Sequence, residues 1–313
     1  MSSAASTRRA IVIGAGFGGL ALAIRLQSAG IATTLLEARD KPGGRAYVWR
    51  EEGHVFDAGP TVITDPDALR ELWALSGQKM ERDVTLLPVS PFYRLLWPNG
   101  KRFDYVNDGA VLKREIAGFN AADLDGYRRF HEYSEQVYRE DYLRLGAVPF
   151  LELGQMLRAA PALVRLEAYR SVYSVVSRFI SDPYLRQAFS FHTLLVGGNP
   201  FSTSSIYALV HALERRGGVW FAKGGTNTLV SGMVALFERL GGPLRLNAKV
   251  VRIETEGARA TGVALADSTG LAADMVASNA DVMHSYRDLL GGTTRGRTRP
   301  PCWSVSAGPC RCS

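Results

Sequence analysis

A short apolar run near the start of the chain is followed by a glycine-rich turn, a long apolar segment and a second apolar run. Residues 10–13 (Ala-Ile-Val-Ile) predict a buried parallel strand, because such strands are covered on both faces. The segment after Gly19 is apolar nearly all round, which predicts a buried helix. Residues 33–36 predict a second strand, so the chain begins with a β–α–β unit.

The pattern then departs from alternating strands and helices. Residues 46–50 and 54–57 predict a short hairpin. The aromatic-rich runs 91–97 and 101–105 predict a second hairpin, because Asn-Gly lies between them. A second domain is therefore expected to begin in this region.

Helix start signals mark the centre of the chain. Asp65 is a predicted N-cap with Pro66 at the first helical position, and Asn120 is the predicted cap of a long helix with Asp123 in its first turn. Aromatic residues along that helix favour plain packing over the lining of a substrate channel. The predicted helices cover residues 66–76, 120–143, 182–192, a stretch from the cap at 201–205 to about 215, and 226–240; short β runs follow at 244–247, 249–255, 260–266 and 274–277.

The turn between the first strand and helix has the spacing G-x-G-x-x-G, formed by Gly14, Gly16 and Gly19. The first glycine allows the tight turn, the second lets backbone approach a diphosphate, and the third lets the helix lie close to the sheet. Glu37 ends the second strand, where an acid accepts hydrogen bonds from ribose hydroxyls. A glycine-rich turn without a ligand is the alternative, and the correct spacing of all the parts disfavours it.

A second glycine pair follows at Gly43-Gly44-Arg45. Its backbone N–H groups and the arginine can reach the same diphosphate. Nicotinamide-binding units do not usually need this addition.

Composition describes an ordinary globular protein of 313 residues, with 46% hydrophobic and 21% charged residues. The net charge of +7 is spread along helices, which leaves a solvated surface and an anionic membrane face both open and argues against nucleic acid. The first seven residues lack the apolar run of a secretory signal, so a cytosolic chain is expected. No stretch of 18 residues is free of charge, so no spanning helix is expected.

Metal binding is not expected from the sequence. All three cysteines lie in the last dozen residues, and Cys310-x-Cys312 is too closely spaced for a four-ligand zinc site. His192 and His211 sit in apolar helical segments and are predicted to be core residues. No nucleophile motif is present, so the chemistry is expected to come from a bound cofactor.

The glycine fingerprint followed by the Gly-Gly-Arg motif resembles the amine-oxidase-like flavoproteins, and Asp57-Ala-Gly-Pro-Thr61 resembles their next flavin-contacting turn. The resemblance narrows to the bacterial and fungal, lycopene-forming type of phytoene desaturase. It covers about residues 10 to 290. The segments that carry it are 56–66, 186–192, 195–201, 220–221, 224–226 and 277–281.

This resemblance implies an α/β fold with a Rossmann-like, amine-oxidase-like FAD-binding domain and an inserted, mostly helical substrate and membrane domain, incomplete at the C-terminus. The implied domains are residues 1–64 and 220–290 for FAD, 65–219 for substrate, and 291–313 as a disordered or aberrant tail. The implied activity is FAD-dependent desaturation of phytoene towards lycopene, with hydride leaving an allylic carbon for the flavin N5. Phytoene and partly desaturated carotenes are the implied substrates, and oxygen or a quinone the electron acceptor.

The same resemblance implies the site residues. Arg158 is the one candidate catalytic side chain, beside Gln155 where relatives often carry an acid; a surface arginine is the alternative. The arginine-rich, apolar stretch 151–180 predicts either a surface helix or peripheral attachment to the cytoplasmic membrane. The implied FAD-binding residues are Gly14, Ala15, Gly16, Phe17, Gly18, Gly19, Glu37, Ala38, Gly43, Gly44, Arg45, Gly59, Pro60, Thr61 and Val250.

Two other functions stay open: another FAD-dependent amine-oxidase-like oxidoreductase, and a non-catalytic FAD-binding fragment. The resembled family is about half as long again, and after Leu290 the hydrophobic pattern breaks. We therefore expect a frameshift or a short natural paralogue, and impaired activity of the chain as written.

Overall fold

The computed structural model describes residues 8–146, 148 and 153–291. The β-strands are β1 (Arg9–Ile13), β2 (Ala32–Leu36), β3 (Val48–Glu51), β4 (His54–Asp57), β5 (Leu86–Pro88), β6 (Tyr93–Leu96), β7 (Arg102–Tyr105), β8 (Trp220–Ala222), β9 (Leu244–Arg245), β10 (Val250–Glu256), β11 (Arg259–Leu265), β12 (Gly270–Ala272) and β13 (Met275–Ser278). The α-helices are α1 (Phe17–Ser28), α2 (Pro66–Ala74), α3 (Gly109–Asn120), α4 (Asp123–Val137), α5 (Leu153–Arg165), α6 (Val172–Phe179), α7 (Pro183–Ser190), α8 (Leu209–Gly217) and α9 (Thr226–Arg239).

The chain divides into two compact units. The described residues within 1–61, 70–85 and 223–313 form the first unit, and those within 62–69 and 86–222 form the second. The predicted substrate domain began at residue 65, whereas residues 70–85 cluster with the first unit. The physical reason is that Asp83 in this segment is paired with Arg239 of α9, and Glu71 with Arg25 of α1.

The first unit is built on a parallel sheet with strand order β13-β1-β2-β9. Ile13 is in register with Leu36 on one side and with Ser278 on the other. Helix α1 joins β1 to β2 and buries Leu20 and Ile24. The predicted β–α–β unit and the Rossmann-like α/β fold are thus confirmed.

A second, antiparallel sheet of the first unit has the order β10-β11-β12. Val250 and Val263 of this sheet pack in one apolar cluster with Ile11 and Leu36 of the parallel sheet. The predicted β runs after residue 244 are present, but β12 was not predicted. It is only three residues long and is half-buried or exposed throughout, so it has no strong apolar pattern.

The second unit is mostly helical around an aromatic core. Both predicted hairpins of the chain are present: β3 pairs with β4, and in this unit β6 pairs with β7. Phe103, Tyr105, Phe130 and Phe189 are fully buried in its core. Phe130 and the largely buried Tyr127 lie on α4, so these aromatic residues of the predicted long helix pack inside the unit.

The helix predicted over 120–143 is present as α4 followed by a π-helix, but it begins at Asp123, and Asn120 belongs to a separate helix before it. Asn120 ends α3, and its side-chain oxygen accepts a hydrogen bond from the Ala122 amide at 3.1 Å. Asp123 begins α4, and its carboxylate accepts hydrogen bonds from the Ser181 and Asp182 amides at 2.8 Å each. Helix α3, which was not predicted, is capped by Asp108. Beyond α4 the chain continues as a π-helix over Tyr138–Leu145.

Other predicted boundaries agree closely with the structure. Asp182 caps α7, and Asp65 accepts a hydrogen bond from the Ala68 amide in the first turn of α2. None of the helices within the described residues combines the length and apolar character that a membrane crossing requires. Apart from Gly291, the tail predicted over 291–313, its cysteines and the frameshift interpretation lie outside the described residues.

Candidate dinucleotide site

Two of the three fingerprint glycines are required by the backbone itself. Gly14 has φ +93°, and its amide donates to the Leu36 carbonyl at 2.7 Å, which ties the turn to β2. A Cβ on Gly19 would lie 1.9 Å from the Gly14 carbonyl oxygen. Gly16 differs, because its φ of −76° suits any residue. A Cβ on Gly16 would lie 3.1 Å from the Asn279 side chain, so space rather than backbone conformation favours glycine here.

The N-terminus of α1 has the features of an anion site. Gly16 is the N-cap and provides no side-chain hydrogen bond, and the first turn carries no acidic residue. The Leu20 amide makes the first helical bond, to the Gly16 carbonyl at 2.9 Å. The Phe17 amide is taken up by the parallel bridge between Gly16 and Gly43, whereas the amides of Gly18 and Gly19 have no acceptor within the helix and lie at the positive end of its dipole.

Glu37 holds the first turn from the end of β2. The residue is only 7% exposed. Its Oε2 accepts a hydrogen bond from the Ala15 amide at 2.8 Å, and its Oε1 accepts one from the Arg39 amide at 3.0 Å. A carboxylate has about four acceptor positions. Glu37 therefore fixes the loop and keeps acceptor positions for a ribose hydroxyl.

The second glycine pair packs directly on the first loop. The Gly43 amide donates to the Ala15 carbonyl at 2.8 Å, and a Cβ on Gly44 would lie 3.2 Å from the Gly16 Cα. Gly43 and Gly44 have φ of +124° and +57°, which favour glycine. Among the described residues, the exposed Arg45 guanidinium makes no ion pair. The two glycine turns thus meet, with Arg45 next in the chain.

The turn at Gly59 is held by contacts from α9. A Cβ on Gly59 would lie 2.4 Å from the Arg45 carbonyl oxygen. The Asp57 carboxylate accepts a hydrogen bond from the Thr226 amide at 2.8 Å, and the Thr226 hydroxyl donates to the Pro60 carbonyl at 2.7 Å. Sequence reasoning marked Gly59, Pro60 and Thr61 but missed Thr226, which is 169 residues from Asp57.

Val250 and Arg158 were predicted from the resemblance alone. Val250 is buried on β10, and nearby the Ala248 amide donates to the Glu37 carbonyl at 2.8 Å, so β10 starts beside the first turn. Arg158 lies on α5 in the second unit and is exposed. Its guanidinium makes no ion pair with the described residues. The roles of both residues stay predictions.

Asn279 was not among the predicted site residues. Its amide N–H donates to the Ile13 carbonyl at 2.8 Å, which places it at the carboxyl end of β1. The signal was present in the segment 277–281, which the resemblance marked without assigning a role to any member.

The second unit encloses a separate polar cluster, formed by Tyr93, Tyr105, His192, His211 and Glu214. His192 Nε2 lies 3.0 Å from Glu214 Oε2, and the Tyr93 hydroxyl donates to Glu214 Oε1 at 2.7 Å. His211 Nδ1 bonds to the Tyr105 hydroxyl. Burial lowers the pKa of His211 and raises the pKa of Tyr105. The two histidines are core residues, as predicted.

The donors of this polar cluster are not arranged as metal ligands. No group of three or more His, Cys, Asp or Glu within the described ranges is arranged to hold a metal ion. The absence of a metal in the protein stays a prediction.

The glycine loops, Glu37 and the parallel sheet define a dinucleotide-binding flavoprotein fold. The family model for flavin containing amine oxidoreductases matches residues 17–300, so the chain belongs to that family. This membership supports a flavin cofactor. A solved structure from Pyrococcus furiosus has the same fold, with a TM-score of 0.63 at 21% identity over 92% of this chain and 63% of that chain.

The chain is also similar to curated proteins of one kind within this family. The chain is 75% identical to the lycopene-forming phytoene desaturase of a Paracoccus species, over 96% of this chain and 61% of the relative. It is 61% identical to the lycopene-forming phytoene desaturase of Pseudescherichia vulneris, over 93% of this chain and 59% of the relative. The chain therefore spans about three-fifths of the length of these curated relatives.

Proposed function

We propose that this chain binds FAD and serves the desaturation of phytoene towards lycopene in carotenoid biosynthesis. The packing of Gly43-Gly44 on Ala15 and Gly16 carries the proposal for the cofactor. A single glycine loop suits many nucleotides, whereas two loops bring more backbone donors to one diphosphate. The 75% identity to a phytoene desaturase supports the substrate.

The residues present fit FAD, because side chains would fill the cradle that its diphosphate needs. A Cβ on Gly18 or Gly44 would approach neighbouring atoms to 2.5 Å and 3.2 Å. The free amides at the start of α1, together with Arg45, would hold the diphosphate. Glu37 would bind the ribose, and the turn at Gly59 would contact the flavin half of FAD. The chemistry that a bound flavin would supply is acceptance of the hydride removed from the substrate. Oxygen or a quinone is the proposed final acceptor of the electrons.

The cofactor assignment is tested with Gly16→Val. Because φ at Gly16 is −76°, the variant should fold, but its branched side chain would occupy the space above the loop. FAD retention, measured from flavin absorbance of the purified protein, should be lost. Gly270→Val in β12 is the matched control, since a Cβ there would meet no atom within 4 Å. Normal flavin content in Gly16→Val contradicts the assignment.

The substrate is tested in phytoene-producing cells that express the protein carrying this chain. Red pigment is expected, and Gly16→Val should abolish it. Flavin binding without conversion of phytoene would favour either another amine-oxidase-like oxidoreductase or a non-catalytic FAD-binding fragment. Absence of flavin binding would contradict the proposed cofactor.

Helix α5 supports peripheral attachment to the cytoplasmic membrane. Leu153, Met156, Leu157 and Val164 are all strongly exposed. At 100° per residue they share one face of the helix, opposite the buried Ala159 and Ala162. Arg158 and Arg165 lie together on one side of the helix, beside this apolar face. Arg165 is paired with Glu140 at 3.0 Å, so Arg158 is the arginine that would meet lipid headgroups.

Flotation with vesicles tests the attachment. Binding should rise with the anionic lipid fraction and weaken with salt, because Arg158 would act through a screened charge. Leu157→Glu should abolish flotation, whereas Leu96→Glu on the exposed side of β6 should leave it unchanged. Equal flotation of both variants would remove α5 from the proposal.

The proposed catalytic role of Arg158 is separable from a membrane role. If Arg158 acts next to the substrate, Arg158→Ala lowers the rate of desaturation with detergent-dispersed phytoene, and Arg158→Lys partly restores it. If it acts only at headgroups, the rate is unchanged and only vesicle binding falls. Full activity of Arg158→Ala in detergent would end the catalytic assignment.

A further inference from the structure

We propose that the side-chain amide of Asn279 is a ligand of the cofactor diphosphate, an inference that rests on the proposed FAD binding. Asn279 directly follows β13, which lies beside β1 on the side opposite to β2. The chain leaves β1 towards β2 through α1, so the strand order reverses between β1 and β13. In open α/β sheets, ligands bind outside the carboxyl ends of the strands at such a switch point.

The Asn279 side chain covers the start of α1. A Cβ on Gly18 would lie 2.5 Å from Asn279 Oδ1, and a Cβ on Gly16 would lie 3.1 Å from Asn279 Nδ2. Gly19 is also close, with its added Cβ at 3.3 Å from Asn279 Cβ. The amide group is therefore held over the same amides that the helix dipole offers to a phosphate.

The amide is free to bind a ligand. Asn279 is exposed, and its side chain makes no hydrogen bond within the part of the chain that the structure describes. Its backbone is nevertheless fixed by the bond to the Ile13 carbonyl. The Asn279 amide can turn its NH₂ group towards an anion, because exchanging the two ends of an amide leaves its shape unchanged. A positioned neutral donor beside outward backbone amides is suited to a diphosphate.

Asn279 also explains a glycine outside the G-x-G-x-x-G fingerprint. Gly18 occupies a variable position of that motif, yet an added Cβ would collide with the Asn279 side chain. The structure thus pairs Gly18 with Asn279. A substitution at either position should disturb the same contact with the cofactor.

The charge of the ligand gives the decisive test. Asn279→Asp keeps the shape but sets a carboxylate beside the diphosphate, so FAD affinity should fall at least about a hundredfold. The same carboxylate lies at the N-terminus of α1, where a negative charge stabilises the helix. The melting temperature of the apoprotein should therefore stay equal or rise. A spacer role for Asn279 would leave FAD affinity unchanged.

Removal of the Asn279 amide without a change of charge tests the same contact. Asn279→Ala should weaken FAD about tenfold, the loss expected for one hydrogen bond to a charged group. Gly18→Ala should weaken it similarly, and the double variant should be no weaker than Asn279→Ala, because both changes remove one contact. Additive losses would overturn the pairing.

Titration of the apoprotein with ADP and with adenosine identifies the contact. Asn279→Asp should weaken ADP and leave adenosine unchanged, since only ADP carries the diphosphate. Equal weakening of both would overturn the assignment to the diphosphate. If the wild-type protein binds neither FAD nor ADP, the proposed cofactor fails; if wild type and Asn279→Asp bind both equally, only the role of Asn279 fails.

Discussion

The polar groups of the two units differ in burial and in hydrogen bonding. In the first unit, the polar groups at the carboxyl ends of the strands are backbone amides, Glu37 and the Asn279 amide, and several face outwards without a partner in the described chain. In the second unit, Glu214 and His192 are buried, and they bond to each other at 3.0 Å. The first arrangement is suited to a ligand, and the second to one defined core.

This difference separates two kinds of polar residue that look alike in a sequence. A buried polar group whose bonds are satisfied internally stabilises the fold and has little left to offer a ligand. A polar group held at an open edge by backbone geometry is available for binding. The substitutions below test whether each unit behaves accordingly.

The largest effect is expected for Gly19→Ala. Its Cβ would lie 1.9 Å from the Gly14 carbonyl oxygen, a backbone atom, so α1 must shift from the sheet. We expect a loss on the order of 4 kcal/mol in the free energy of unfolding, measured by urea denaturation. Gly118→Ala in α3 meets no atom within 4 Å and should be neutral or stabilising. Equal stability of the two variants would contradict the close packing of α1.

The next effect concerns Glu214→Ala in the polar cluster. It leaves the half-buried Tyr93 hydroxyl and the buried His192 Nε2 without their acceptor. The free energy of unfolding, measured by urea denaturation, should fall by about 3 kcal/mol. Glu132→Ala is the control, because Glu132 forms an exposed i,i+4 pair with Arg128 worth only about 0.4 kcal/mol. A loss at Glu214 no greater than at Glu132 would show that the cluster contributes little.

A change of pH is expected to have a smaller effect on the stability of the second unit. Burial lowers the pKa of His211 in the folded state, so its contribution to stability is present above the unfolded value of about 6.5 and is lost as pH falls. Burial raises the pKa of Tyr105, so its contribution is present below about 10 and is lost as pH rises above that value. Hydrogen exchange of α4, α7 and α8 should therefore be slowest between these limits, after correction for the intrinsic rate.

Substitution of His211 is the control for the acid limit. His211→Gln should flatten the acid side of the exchange profile, because the His211 imidazole is no longer there to be protonated. An unchanged acid slope would assign the pH dependence to other groups. His131, whose pKa burial also lowers, would then be the first to test.

The smallest effect is expected at the surface of the first unit. Arg25 and Glu71 form a two-bond ion pair at 2.9 and 3.1 Å, yet about half of each side chain is exposed. Glu71→Ala should lower the free energy of unfolding by about 0.5 kcal/mol, and by less at high salt, because salt screens the two charges. A cost near that of Glu214→Ala would mean that burial is not what separates the two units.

Local sequence patterns predicted the first β–α–β unit well. The strand before Gly14 is uniformly apolar, and the positions of Gly14, Gly16 and Gly19 follow from geometry within a few residues. Asp182 and Pro183 likewise specified the start of α7. Such features depend on near neighbours in the chain, which a sequence displays.

Contacts between distant segments were not predictable. The break between α3 and α4 depends on Asp123 binding amides near residue 181, and the turn at Gly59 depends on Thr226. Asn279 meets the glycine loop only because β13 returns to β1. No periodicity reports such contacts, and only the resemblance to a family marked the segments involved.

The pairing of β1 with β13 has a consequence for the order of events during synthesis. Arg9 bonds to Asp274, which is 265 residues later in the chain. At about 5 to 20 residues per second, a ribosome needs on the order of tens of seconds to make that span. Until then one edge of β1 lacks its neighbour and the switch point does not exist. Flavin is therefore expected to enter after residue 279 has emerged, and a nascent chain paused earlier should depend on chaperones to shield that edge.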